Sequence, residues 1–321
     1  MKLRDLDLGI ILNASGLRGF SGEGYWFHKP LQQLKILSFD DTTFVAKTVT
    51  LLKNEGNLSL EGDSSPKPWF PNCIKVNPLR DTVLNAVGLS NFGLGYYLGD
   101  GQWQERTEPF MISVASTAET FKERKSEYEI MALMIHANLA KFKSKFGIQI
   151  NVSCKNSKNG HQSLSTSDLI QESCAALDAF SILDLPLMLK FSIANTAFDV
   201  MLEIQKHSKC DAICISNTVP FGWRKIDWKK AWGTKKSPLE DLGGGALSGR
   251  ILAPLVCEYI NHLRDNGFNK PINGGGGIFG PKEVHMYHQA GVSSIFIGSV
   301  VMLHPWRTQT IVKTANSLVW S

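Results

Sequence analysis

The 321-residue sequence predicts an α/β protein, a closed (β/α)8 TIM barrel forming one domain over 1–321, with long loop insertions over its C-terminal mouth. Three observations carry this. Short apolar runs recur along the chain, segments with apolar residues three and four apart separate them, and two connections are far too long to be simple links. Near-continuous apolar strands are buried on both faces, and strands alternating with helices give a parallel sheet with helical crossovers. A typical barrel needs about 250 residues, which leaves room for excursions.

The strand runs in order are TFVAKTVTL (43–51), PFMISVAS (109–116), IQINVSC (148–154), LPLMLKFSI (185–193), DAICISN (211–217), PINGGGG (271–277) and SSIFIGSV (293–300). A short eighth strand is expected near residues 85–88. Helices are expected in TAETFKERKSEYEIMALMIHANLAKF and STSDLIQESCAALDAFSIL, with Thr117 and Ser167 as N-caps. Stretches 52–101 and 219–249 are rich in Gly, Pro and Trp, and so read as functional loops near one barrel mouth.

Composition is that of an ordinary globular protein, 43% hydrophobic and 20% charged. The net charge is only +5, and Lys141, Lys143 and Lys145 read as a solvated helix face, so no nucleic-acid partner is expected. The run 292–303 is interrupted by Ser and Gly and too short to span a bilayer. The N-terminus carries charges at positions 2, 4, 5 and 7 and no signal pattern, so a cytoplasmic protein with no membrane partner is expected. Six cysteines, at 73, 154, 174, 210, 214 and 257, form no CxxC pair and no zinc-ligand spacing. Reduced thiols and no metal site follow, with Cys210 and Cys214 assigned to the core.

Three groups of residues point to chemistry. GGGG at 274–277 and Gly298-Ser299 each end a strand run, and glycine lets backbone N–H groups approach a phosphate. A further cluster, GGGALSGR (243–250), strengthens the phosphate reading, whereas GFSGEG (19–24) does not fit GxGxxG and carries no dinucleotide fingerprint. Lys47 and Lys190 lie within apolar runs, where an ammonium is costly without an anionic partner, unless each reaches water from a strand end. A reduced flavin carries such negative charge. Asn85, Asn151, Asn156 and Asn217 stand at strand ends or loops, and carboxamides suit a ring with alternating C=O and N–H groups.

The motifs NASG (13–16), FVAKTVTL (44–51), LNAVGLSNFG (84–93), NVSCKN (151–156), ISNTV (215–219), GGGALSGR (243–250), GGGGI (274–278) and IGS (297–299) occur in the order seen in dihydroorotate dehydrogenases. From about residue 8 to residue 303 the chain resembles that family in its cysteine-base, class 1 type, and GFSGEGY is similar to the start of the NAD-linked subtype. The resemblance implies an FMN-dependent oxidoreductase of pyrimidine biosynthesis that acts on a CH–CH group, turning dihydroorotate into orotate. Cys154 would accept the C5 proton while a hydride leaves C6 for flavin N5. A thiol suits that role because its ordinary pKa of ~8.5 lies near neutrality.

Further roles follow from the same resemblance. Lys47 would lie between flavin and substrate carboxylate. Asn85, Asn151, Asn156, Asn217, Thr218 and the backbone of Val87, Gly88 and Leu89 would bind the pyrimidine ring. Ala14, Ser15, Gly16, Lys47, Thr48 and Asn151 would meet FMN, together with Lys190, Ser216, Gly249, Gly276, Gly277, Gly298 and Ser299. Two positions depart from the pattern: Lys155 replaces the usual proline after the catalytic residue, and Ser113 replaces an asparagine near the flavin. An enzyme for another 5,6-dihydropyrimidine and a flavin-binding paralogue without turnover are the alternatives. NASG begins at residue 13, which leaves no room for the N-terminal helices of the membrane-linked subtype. Fumarate, or NAD reached through an iron–sulfur/FAD electron-transfer subunit, are the acceptors left open, and a homodimer is the other assembly allowed.

Overall fold

Strands apolar on both faces build the centre of the molecule. The computed structural model describes residues 1–152 and 164–320. In chain order the strands begin with β1 (Lys2–Leu3), β2 (Leu6–Asp7), β3 (Ile11–Asn13), β4 (Phe44–Val45), β5 (Ile74–Asn77), β6 (Thr82–Asn85) and β7 (Phe110–Val114). They continue with β8 (Phe146–Asn151), β9 (Leu187–Phe191), β10 (Ala212–Ile215), β11 (Val219–Pro220), β12 (Ala246–Gly249), β13 (Ile272–Gly275) and β14 (Ser294–Ile297). The first helices are α1 (His28–Gln33), α2 (Leu94–Gly99), α3 (Phe121–His136), α4 (Thr166–Phe180) and α5 (Phe198–Ile204). The others are α6 (Trp228–Ala231), α7 (Leu252–Asp265), α8 (Pro281–Gln289), α9 (Ser299–Leu303) and α10 (Thr308–Asn316).

Strands β3, β4, β7, β8, β9, β10, β13 and β14 form one eight-stranded sheet whose paired neighbours run parallel. It closes on itself through a parallel bridge between Leu12 and Thr43. Asn13 N–H donates to Thr43 O and Thr43 N–H to Ile11 O, both at 2.8 Å. The (β/α)8 barrel is therefore present, with one strand reassigned. The closing strand is Ile11–Asn13, whereas the segment expected near 85–88 ends an antiparallel strand outside the barrel. The run 43–51 is also not one strand. Lys47 N–H donates to Gly19 O (2.9 Å) on the loop after β3, so regular pairing stops at Val45 and returns as a bridge from Val49 to Val114.

Side chains alternate between two cores. The lumen holds Leu12, Val45, Met111, Met188, Ala212, Cys214 and Phe296, and Leu3, Leu6 and Leu8 of the β1–β2 hairpin join them to plug its floor. Ile112, Ile148, Leu189, Ile213 and Ile295 face outward into the larger core with the helices. Cys210 and Cys214 are buried as expected, and desolvation pushes their thiols up to about 12 and about 11.

The helix caps lie elsewhere than expected. Thr120, not Thr117, caps α3 in a capping box with Glu123, and Ser165, not Ser167, caps α4 by accepting from Asp168 N–H. Arg124 on α3 pairs with Glu172 on α4 at 2.8 Å, with only 6% and 3% of the side chains exposed. Lys141, Lys143 and Lys145 are exposed, but in and after a short 3-10 turn rather than on a helix face. Both long excursions supply strands to one antiparallel sheet in the order β11-β12-β6-β5. In the barrel, by contrast, a strand feeds each helical crossover. No helix among the described residues is long and apolar enough to cross a membrane.

The plugged floor generates a prediction. A Cβ on Gly147 would stand 2.8 Å from Met111 Sδ, 3.0 Å from Pro186 O and 3.2 Å from Leu6 Cδ2. Gly147→Ala should lose about 1–3 kcal/mol by overpacking, and Leu6→Ala about 2–5 kcal/mol by leaving a cavity. Because the two sites touch, urea unfolding of the double variant should show less than the summed loss; strict additivity would mean that the hairpin does not press on β8.

Candidate active site

The C-terminal ends of the barrel strands carry most of the singled-out residues. Ala14 N–H donates to Ile297 O (2.8 Å), which seats the loop after β3 beside Gly298, whose Cβ would lie 3.1 Å from that of Ala14. Ser15 Oγ donates to Ala46 O (2.9 Å) and lies 3.0 Å from Thr48 Oγ1. Gly16 has φ 87°, and a Cβ there would stand 3.2 Å from Lys47 Cγ, so the loop lies directly on the lysine. Lys47 Nζ donates to Ser90 O (2.8 Å) and lies 4.6 Å from the centre of the Phe20 ring. Burial pushes this lysine down to about 8, against the opposing effect of Glu23 and Cys73. Glu23 already accepts from Phe20 N–H (2.7 Å) and Ser21 N–H (2.8 Å), and its own carboxyl is raised by burial.

Behind this loop a hydroxyl chain enters the lumen. Thr48 Oγ1 lies 2.9 Å from Ser113 Oγ, which donates to Gln149 Oε1 (3.3 Å). The departure at Ser113 thus joins a hydroxyl to a carboxamide on the next strand.

On the opposite wall, Asn151 and Lys190 are register partners at the ends of β8 and β9. Lys190 is 8% exposed, and its Nζ has no hydrogen-bonding or ion-pair partner among the described residues. Asn217 Nδ2 donates to Asn151 Oδ1 (3.1 Å), while Asn217 Oδ1 accepts from Thr218 N–H (3.1 Å). Ser216 N–H donates to Gly275 O (2.9 Å), and Ser216 Oγ to Asn217 O (2.7 Å), linking this wall to the glycines of β13.

The excursion supplies a third wall. Asn85 Nδ2 reaches Ala246 O at 3.4 Å across the antiparallel pair. Asn57 N–H and Ser90 Oγ donate to Val87 O, Asn54 Nδ2 to Gly88 O and Leu89 O, and Asn91 Nδ2 to Leu89 O. The carbonyls are therefore tied back, whereas the N–H groups of Val87, Gly88 and Leu89 donate to no described residue.

The fourth wall is glycine. A Cβ on Gly277 would lie 2.4 Å from Gly249 O, and one on Gly249 2.3 Å from Asp81 O, so these backbones meet where no other residue fits. The N–H groups of Gly276, Gly277, Gly298 and Ser299 donate to no described residue, and Ser299 Oγ donates to Ser248 Oγ (2.7 Å). The mouth thus combines buried cations with open N–H donors, a set suited to an anionic ligand rich in acceptors.

Cys154 and Asn156, with Lys155, lie outside the described residues, and β8 leads into them through Val152. Sequence reasoning missed Ser90, Gln149, Glu23 and the asparagines at 54, 57 and 91. Apart from Glu23, which binds the backbone two and three residues before it, their roles depend on contacts between distant segments, and the quoted stretches GFSGEGY, IQINVSC and LSN (89–91) placed Glu23, Gln149, Ser90 and Asn91 without showing those contacts.

Comparison with known proteins agrees with this architecture. A family model described as dihydroorotate dehydrogenase matches residues 9–318. The dihydroorotate dehydrogenase B (NAD(+)) catalytic subunit of Anoxybacillus flavithermus is 26% identical over 313 residues, 96% of this chain and 86% of its own. That of Geobacillus kaustophilus is 28% identical over 261 residues, 80% and 77% of the two chains. The dihydroorotate dehydrogenase A (fumarate) of Limosilactobacillus reuteri is 26% identical over 264 residues, 82% and 76%. With that match running from the closing strand into the last helix, the chain belongs to the dihydroorotate dehydrogenase family.

Proposed function

We propose that this protein oxidises dihydroorotate to orotate for pyrimidine biosynthesis, with FMN as its cofactor. The observation that carries the reading is the convergence at one barrel mouth of Lys47 and Lys190, neither paired with a carboxylate among the described residues, with carboxamides and open N–H groups. Those residues fit a flavin mononucleotide. The N–H groups at 276–277 and 298–299 suit its phosphate, Lys190 and Lys47 compensate negative charge, and Ala14, Ser15, Gly16, Thr48, Asn151, Ser216 and Gly249 would line the remainder. When bound, FMN supplies the hydride acceptor of the reaction.

The chain's own residues do the rest. Lys47 holds the substrate carboxylate through its ammonium. Asn85, Asn151, Asn217, Thr218 and the N–H groups of Val87, Gly88 and Leu89 orient the ring by matching its C=O and N–H groups, and Asn156, outside the described residues, is assigned to the same ring by the family resemblance. Cys154, in NVSCKN directly after β8, takes the C5 proton, and the adjacent Lys155 cation favours its thiolate. The names of the relatives point to two acceptors, NAD(+) and fumarate. The resemblance of GFSGEGY to the NAD-linked subtype favours a cytoplasmic complex in which an iron–sulfur/FAD subunit passes electrons to NAD.

Two experiments test these roles. Burial pushes Lys47 down to about 8, and a bound carboxylate raises that value. Orotate affinity should therefore be flat below about pH 8 and fall by up to about tenfold per unit above it. Lys47→Met should bind weakly at every pH, and a wild type with no such slope would remove Lys47 from the carboxylate site. Cys154→Ala should keep FMN and orotate binding while flavin reduction by dihydroorotate slows by roughly 10²–10⁴. Near wild-type reduction would leave the proton acceptor elsewhere.

A further inference from the structure

Behind the glycine wall, four charged or titratable side chains from four segments meet. Arg250 Nη1 lies 3.2 Å from Asp81 Oδ2, and Arg250 Nε 3.6 Å from Glu283 Oε1. His304 Nε2 stands 2.5 Å from Asp81 Oδ1. Asp81 forms the turn between β5 and β6, Arg250 follows β12, Glu283 lies in the first turn of α8, and His304 ends α9. Glu283 Oε2 also accepts from Phe279 N–H (3.3 Å), and the Arg250 guanidinium lies 5.3 Å from the centre of the Phe279 ring.

This cluster grips the backbone that makes the glycine wall. Arg250 N–H donates to Asp81 O (3.0 Å), the carbonyl that a Gly249 Cβ would strike. A Cβ on Gly277 would lie 2.9 Å from Arg250 Cα. Asp81 is itself held at φ 51°, a left-handed conformation that a non-glycine residue keeps only where its surroundings fix it. Arg250 is thus the cation that both carboxylates share, and the turn, the end of β12 and the loop after β13 are all fastened to it. Asp81 and Glu283 are only 17% and 8% exposed, so without the guanidinium two nearly buried negative charges would face each other close to the open N–H groups.

We propose that Arg250 is a positioning residue for the phosphate end of the cofactor site, setting the preference for FMN over riboflavin. This rests on the FMN reading above. Losing Arg250 loosens the stacked backbones at Gly249 and Gly277 and adds uncompensated negative charge, both of which penalise a phosphate. Riboflavin lacks that group and meets only the ring and ribityl surroundings.

Titration of the full apo-chain with FMN and with riboflavin, followed by flavin fluorescence, tests this. Arg250→Met should lose about tenfold or more in FMN affinity, the scale of one charge-assisted contact, with riboflavin within about twofold of wild type. Arg250→Lys should recover only part of the loss, because one ammonium cannot fork across two carboxylates. Equal losses for both flavins, or no loss for either, would overturn the proposal. If Arg250→Met does not fold, Arg250→Lys, which keeps the charge but not the fork, is read in the same way: a smaller loss confined to FMN supports the proposal, and an equal or absent loss overturns it. A wild type that binds neither flavin would remove the FMN reading itself, whereas a wild type that prefers FMN beside an Arg250→Met variant that keeps the preference would remove the role of Arg250 alone.

Discussion

Closure of the barrel by Ile11–Asn13 is the constraint from which the site follows. These three residues lie between β14 and Thr43, and the chain leaves them directly into the loop that carries Ala14, Ser15 and Gly16. Because β3 pairs with β14, that loop is set against Gly298, and because it bridges to the second barrel strand, it lies on Lys47. The same loop takes the Lys47 N–H through Gly19 O and so breaks the strand where the lysine must turn toward the mouth. One closing contact therefore joins the two ends of the sheet and aligns a glycine wall with a buried cation.

The electrostatics of the mouth depend on charges kept without counterions. Glu23, whose charge opposes the lowering of Lys47, is occupied by two backbone N–H groups, and Lys47 donates to the Ser90 carbonyl instead of a carboxylate. Lys190 is nearly buried in the opposite wall. Buried cations beside N–H donors favour an anionic, acceptor-rich molecule at this mouth. At the clasp behind the glycine wall the logic is reversed. There Asp81 and Glu283 are satisfied by Arg250 and His304, which keeps their negative charge from acting on the loops in front.

What could be read in the sequence was what depends on local pattern. Runs such as LMLKF and AICI are apolar on both faces, and they became barrel strands within a residue or two of the expected places. Glycine clusters at 274–277 and 298 stood where backbone approach requires them. The closing strand was missed because three residues carry no periodicity, and its neighbours, β14 and Thr43, are distant or irregular. Antiparallel pairing of β6 with β12 joins residues about 160 apart, beyond any local signal. The caps were misplaced because Thr117 and Ser167 were chosen by type alone. Thr120 and Ser165 have an acidic residue three positions on, Glu123 and Asp168, whereas Thr117 and Ser167 have Thr120 and Ile170.

The most direct measurement is anaerobic stopped-flow mixing of the FMN-loaded protein with dihydroorotate and, separately, with dihydrouracil, which has the same ring without the carboxylate. If Lys47 and the carboxamide walls serve dihydroorotate, the flavin absorbance should bleach with dihydroorotate and do so far more slowly, or not at all, with dihydrouracil. Failure to bleach with dihydroorotate, or equal rates for the two compounds, would contradict the assignment.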